Sequence, residues 1–182
     1  LKHPDDVVRV LAEIRKRGFD FKLVIAGEGH LRNMLIELAI ELGVKDQVIL
    51  CGNQNQEWLF KVIPLATAVI SPLTGRALTE CALGAAPIVA YDVDWHSELI
   101  ETGVTGELVP LLDWKKMADA VERFLIDSKY ANVTGQAVRK RVLEMMDPLM
   151  LDQHERVEAE GFVELADADE QQHVRPLRLL LH

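Results

Sequence analysis

Cysteine is scarce in this chain: Cys51 and Cys81 are the only two among 182 residues. Two are too few for a disulfide framework, and both lie in apolar stretches, which predicts buried thiols in a reducing compartment. Positive charge is also in deficit. Twenty Lys and Arg stand against 29 Asp and Glu, a net charge of −9. No basic stripe is available to neutralise phosphates, so a nucleic-acid surface is excluded. A small anionic ligand is not excluded, because it needs only one or two local cations and a helix amino end. No apolar run approaches the ~20 residues of a membrane span and no secretory leader is visible, so a cytoplasmic location is expected. The Gly-x-Ser-x-Gly, Walker and HExxH patterns are all missing. His30, His96 and the two cysteines show no zinc-ligand spacing. Asn132-Val133-Thr134 spells a glycosylation acceptor, but nothing else points to secretion. The chain opens at Leu1, without a methionine, in the approach to a helix. It therefore reads as a piece of a longer protein.

What is present is an ordinary globular composition, 49% hydrophobic and 27% charged, in a length that fits one domain. Pro4, Asp5 and Asp6 open a helix with Val7, Val10, Leu11 and Ile14 on one face, stopped by Gly18. Phe21–Ala26 is a predicted buried strand ending in Gly27-Glu28-Gly29. A helix with Leu31, Met34, Leu35, Leu38 and Leu42 on one face follows, closed by Gly43. Further strands are predicted at Val48–Leu50, Ala66–Ile70 and Ile88–Tyr91, with short helices at Trp58–Leu65 and Ser97–Ile100. Residues 102–110 read as a turn and a small strand. Asp113 caps a helix facing inward with Trp114, Met117, Ala118, Val121, Phe124 and Leu125. Residues 136–165 read as helical, interrupted at Asp147-Pro148, and the last fifteen or so as a partly ordered tail. Alternating helices and near-continuous apolar strands with short Gly-rich links predict an α/β fold, a Rossmann-like doubly wound parallel sheet covered on both faces. Residues 1–130 form its ligand-binding part, and 131–182 its C-terminal helices and tail.

The most informative stretch is Ser71–Asp92, SPLTGRALTECALGAAPIVAYD. A strand runs into the turn Thr74-Gly75-Arg76, and the helix after it carries Glu80 among Ala77, Leu78, Cys81, Ala82 and Leu83. An acid in that company is costly to bury unless it is hydrogen-bonded. Two readings stand: a helix glutamate facing water, as most do, or a carboxylate that accepts both hydroxyls of a ribose. A Gly turn between a strand's carboxyl end and a helix amino end is where α/β folds bind anions. Gly27-Glu28-Gly29 forms a similar turn but fails as a dinucleotide fingerprint, because Arg32 stands where a third Gly belongs. Asp92-Val93-Asp94 is either a divalent-metal pair or a solvated turn.

These blocks resemble the carboxyl-terminal, donor-binding domain of retaining glycosyltransferases of the GT-B fold, in the large family 4 group. KLVIAGEGHLRNMLIELAIELGVKDQVILCG matches the family's strand, Gly-acid-Gly, long helix, short strand and Gly. SPLTGRALTECALGAAPIVAYDVDWHSELIETGVTGELVP matches its signature block. The resemblance covers Lys22–Pro110. It implies one half of a GT-B architecture, a nucleoside-diphosphate-sugar donor, transfer with retention in polysaccharide or glycoconjugate synthesis, and no obligatory metal or other cofactor. It also implies that Glu80 grips the ribose hydroxyls and that the backbone around Thr74, Gly75 and Arg76 faces donor sugar and diphosphate. Gly27 and Gly29 fall beside the diphosphate. Lys2 falls on the family's Lys-Gly element, a cation for the leaving diphosphate and the one catalytic candidate. Glu98 and Thr105 match the glutamate and threonine around the Gly-x-Thr-Gly turn.

This chain departs from the pattern at several positions. The first glutamate of the Glu-x7-Glu element falls on Pro72, the Gly before the usual Phe on Leu73, and Arg76 replaces an apolar residue. Arg76 is either a phosphate contact or an exposed arginine. The acceptor site is expected in an amino-terminal domain outside this chain, which leaves the isolated piece inactive and any membrane association to that domain. The alternatives are a nucleotide-sugar epimerase of the same architecture and a non-catalytic nucleotide-binding module.

Overall fold

The computed structural model describes residues 3–72 and 75–146, and the backbone of 179–181. The elements follow one another as α1 (Pro4–Lys16), β1 (Leu23–Ala26), α2 (Arg32–Glu41), β2 (Val48–Gly52), α3 (Gln56–Val62), β3 (Val69–Ser71) and α4 (Arg76–Leu83). Then come β4 (Ile88–Tyr91), α5 (His96–Leu99), β5 (Glu107–Val109), α6 (Trp114–Ile126), α7 (Ser128–Met145) and β6 (Leu179–Leu181). All strand pairs are parallel, in the order β2-β1-β6-β3-β4-β5.

β1, β3 and β4 are buried on both faces, so neighbouring residues along them split between two cores. Leu23, Ile25, Ile70, Val89 and Tyr91 face one side and pack against α1, α2 and α6. Val24, Ala26, Val69, Ile88 and Ala90 face the other and pack against α3, α4 and α7. This is the doubly wound arrangement expected from continuous apolar strands.

Three differences from the sequence expectation stand out. The C-terminal helix starts at Ser128, eight residues before 136, because Asp127 caps it: its side chain accepts from the Tyr130 amide. The helix then runs through Gly135, where a Cβ would meet the Ala85 carbonyl oxygen at 2.1 Å. Its continuation past 146, including the expected break at Asp147-Pro148, lies outside the described residues. In α2 only Leu35 and Ala39 are buried, and Met34, Leu38 and Leu42 are half-buried, since this helix covers the end of the sheet where β2 is the edge. The third difference is the tail. Expected to be partly ordered, it holds a strand, Leu179–Leu181, within the sheet, in register with Leu23–Ile25 and paired with β3 at Val69↔Leu180. Three leucines are too short a run to show a period, although a continuous apolar run suits an interior parallel strand.

Cys81 is buried in α4, and burial pushes its thiol up; Cys51 is only half-buried, less than expected. No helix among the described residues is long and apolar enough to cross a membrane.

Candidate nucleotide site

The carboxyl ends of β1 and β3 open into one cleft of about 850 Å³, whose walls include Gly27, Gly29, Gly75, Arg76 and Glu80. Five of the seven residues singled out in the sequence are thereby brought together. Lys2 and Thr74 lie outside the described residues.

At one wall, Gly27 takes φ +125°, a conformation that side chains rarely adopt, and its N–H donates to the Gly52 carbonyl at 2.7 Å. The turn is steadied by Glu28, whose N–H donates to Asn53 Oδ1 at 3.0 Å. The Glu28 carboxylate lies over Gly52, where a Cβ would come within 2.8 Å of Oε1, and stands 3.7 Å from Arg32. A cation is therefore already paired on the rim of the cleft.

The opposite wall is the first turn of α4. Gly75 is its N-cap, in an extended conformation with open space around it. The first amides of a helix have no partner within it and carry the positive end of its dipole, so this edge of the cleft favours an anion. One turn further, Glu80 is 6% exposed. Of the two readings, the glutamate facing water does not hold, because the small apolar residues beside it pack into the core and take the carboxylate with them. Arg76 Nε lies 3.0 Å from Glu80 Oε1, and Gln56 Nε2 donates to the same oxygen at 2.8 Å. Arg76 is half-exposed, pairs with Glu80 and lines the cleft.

Other residues from the motifs sit elsewhere. Asp92 and Asp94 are exposed and do not line the cleft. Thr105 is a turn staple: its hydroxyl accepts from the Glu101 amide at 2.7 Å and donates to the Leu99 carbonyl at 3.0 Å. Glu98 contributes its backbone carbonyl to Arg141, at 3.0 Å from Nη2, while the residue itself is exposed. Pro72 lines the cleft and puts no carboxylate there. Sequence reasoning missed Gln56 and the Glu28–Asn53–Gly52 arrangement, which join residues about 25 positions apart and leave no local pattern.

The start of α1 also reaches this cleft, through Pro4. It is held by buried Asp6, which accepts from the Tyr91 hydroxyl at 2.8 Å. Burial and this carboxylate push the tyrosine hydroxyl well above its ordinary value.

The model of the glycosyl transferases group 1 family matches residues 1–141. This chain belongs to that family. Among curated relatives of this chain, the alpha-D-kanosaminyltransferase of Streptomyces kanamyceticus is 36% identical over 146 residues, covering 78% of the chain and 36% of the relative. TarM from S. aureus, solved with fondaparinux, alpha-GlcNAc-glycerol and UDP, superposes with a TM-score of 0.72 at 22% identity, over 91% of this chain and 33% of that one. The C-terminal domain of a group 1 glycosyl transferase, LpcC, from Francisella tularensis superposes with a TM-score of 0.65 at 19% identity, over 79% of this chain and 78% of that domain. The fold is thus one half of the GT-B architecture. The chain spans about a third of the length of the curated relatives it matches.

Proposed function

We propose that this chain is the donor-binding half of a glycosyltransferase that takes a nucleoside diphosphate sugar and transfers the sugar with retention, in polysaccharide or glycoconjugate synthesis in the cytoplasm. The observation that carries this reading is Glu80, a buried carboxylate on the wall of an open cleft at the strands' carboxyl ends. A carboxylate held there suits the two hydroxyls of a ribose. The diphosphate would then lie between the Gly27–Gly29 turn and the first turn of α4, with Arg76 at its edge. UDP in the solved TarM complex supports a nucleotide of this kind.

The chemistry that follows is a front-side displacement, in which the acceptor hydroxyl attacks from the side the leaving diphosphate occupies. Its barrier is lowered by stabilising the departing charge with oriented N–H groups and cations, with Lys2 as the candidate cation. No metal is required in this reading. The acceptor would be held by a separate domain.

A second reading rests on Pro72, which fills the place of the motif's first glutamate: nucleotide binding without transfer. Titration calorimetry with UDP, GDP and ADP tests the common core of both. At least one is expected to bind, and Glu80→Gln is expected to weaken it by ~1–3 kcal/mol, the scale of charge-assisted hydrogen bonds. No binding by any of the three would end the proposal.

A further inference from the structure

Gln56 has no part in the reading above, yet it bonds to Glu80 from a different element. It is the first residue of α3, and Asn55 caps that helix by accepting from the Trp58 amide at 2.9 Å. The cap sets the backbone one residue ahead of Gln56, and the side chain then spans to α4, where Nε2 meets Glu80 Oε1 at 2.8 Å. Arg76 approaches that same oxygen from within α4, at 3.0 Å. The other end of the carboxamide tells which way round it must be. Gln56 Oε1 is fully covered and has no hydrogen-bond partner among the described residues. Turning the amide over would set that oxygen against the carboxylate, so only the donor orientation is compatible with Glu80. A buried acceptor left without a partner is unfavourable, and an apolar side chain of the same length would fill the space without it. Simple packing therefore does not account for a glutamine here.

We infer that Gln56 is a positioning residue of the nucleotide site: it holds the Glu80 carboxylate in the rotamer that ribose hydroxyls meet, and so sets the preference for ribose over deoxyribose. The inference rests on the ribose reading of Glu80. Two donors, one from α3 and one from the preceding turn of α4, converge on a single oxygen and stop the carboxylate from swinging. An acceptor ordered before the ligand arrives loses less freedom on binding, and that advantage reaches only ligands that have the hydroxyl to use it.

The test measures UDP and GDP, each beside its 2′-deoxy counterpart, on wild type, Glu80→Gln, Gln56→Met and the double variant. Methionine keeps the length and removes the donor; Gln56→Asn, too short to reach Glu80, is the second variant. Either change at Gln56 is expected to weaken the ribonucleotide by about fivefold, close to 1 kcal/mol, while the deoxynucleotide changes by less than about twofold. In the Glu80→Gln background, Gln56→Met should leave the ratio unaltered. A merely structural tie between α3 and α4 would weaken both nucleotides alike, and that result overturns the inference, as does an unchanged ratio. If Glu80→Gln removes the preference and the Gln56 variants do not, the inference alone fails. If Glu80→Gln leaves the preference intact, the ribose reading itself falls, and this inference with it.

Discussion

Asp6, Glu80 and Thr105 are buried polar side chains held by partners in other parts of the chain, and removing one partner exposes what the contact does. Tyr91→Phe would leave the Asp6 carboxylate, only 6% exposed, without the hydroxyl that donates to it. A loss of about 1–3 kcal/mol is expected, read as a lower denaturant midpoint. Tyr130 is a different case. Burial, and then its hydrogen bond to Glu107, push its hydroxyl up to about 12. An unfolded tyrosine titrates near about 10, so the folded state holds this proton more tightly. The stability linked to it is complete below about pH 10 and is lost as pH rises through about 12. Cys81 and Tyr91 act with the same sign, so the measurement is a difference: wild type should lose more stability than Tyr130→Phe between those two pH values. Glu80 was legible at this scale because its own helix neighbours, Leu78, Cys81, Ala82 and Leu83, have nowhere to go but the core. Gln56 was not, since its partner lies 24 residues away.

Helix α7 packs across the end of α4 only because residue 135 has no side chain. With the Ala85 carbonyl oxygen 2.1 Å from where a Cβ would be, both neighbours are backbone and neither can rotate away. Gly135→Ala is expected to cost about 1–3 kcal/mol, against the slight gain alanine normally brings to a helix interior. Equal or greater stability in urea unfolding would show that the two helices are free to separate. The same packing explains what was readable among the elements. β4 matches its expected residues, and β1 lies within its expected run, because the apolar runs are bounded by turn residues on both sides. β3 begins at Val69 and not Ala66, because the preceding 3-10 turn, Ile63–Leu65, holds the chain until Ala66. β6 was hidden because its place in the sheet comes from distant partners, β1 and β3, rather than from its own pattern.

Over the whole molecule, the sheet puts its two Gly turns at one end and the Asp92–Asp94 loop outside the cleft they frame. If diphosphate charge is met by backbone N–H groups and cations, swapping magnesium for chelator at fixed ionic strength should change affinity by less than about twofold. Added salt should weaken binding, because these contacts are partly open to solvent. Catalysis by this chain alone is not expected. The direct test of the central claim is an amide chemical-shift map recorded while UDP or GDP is titrated into the labelled protein. The largest changes are expected at Gly27–Gly29, at Asn53–Gln56 and from Gly75 to Glu80. Changes centred on Asp92–Asp94, with the Gly27 and Gly75 turns unmoved, would contradict it.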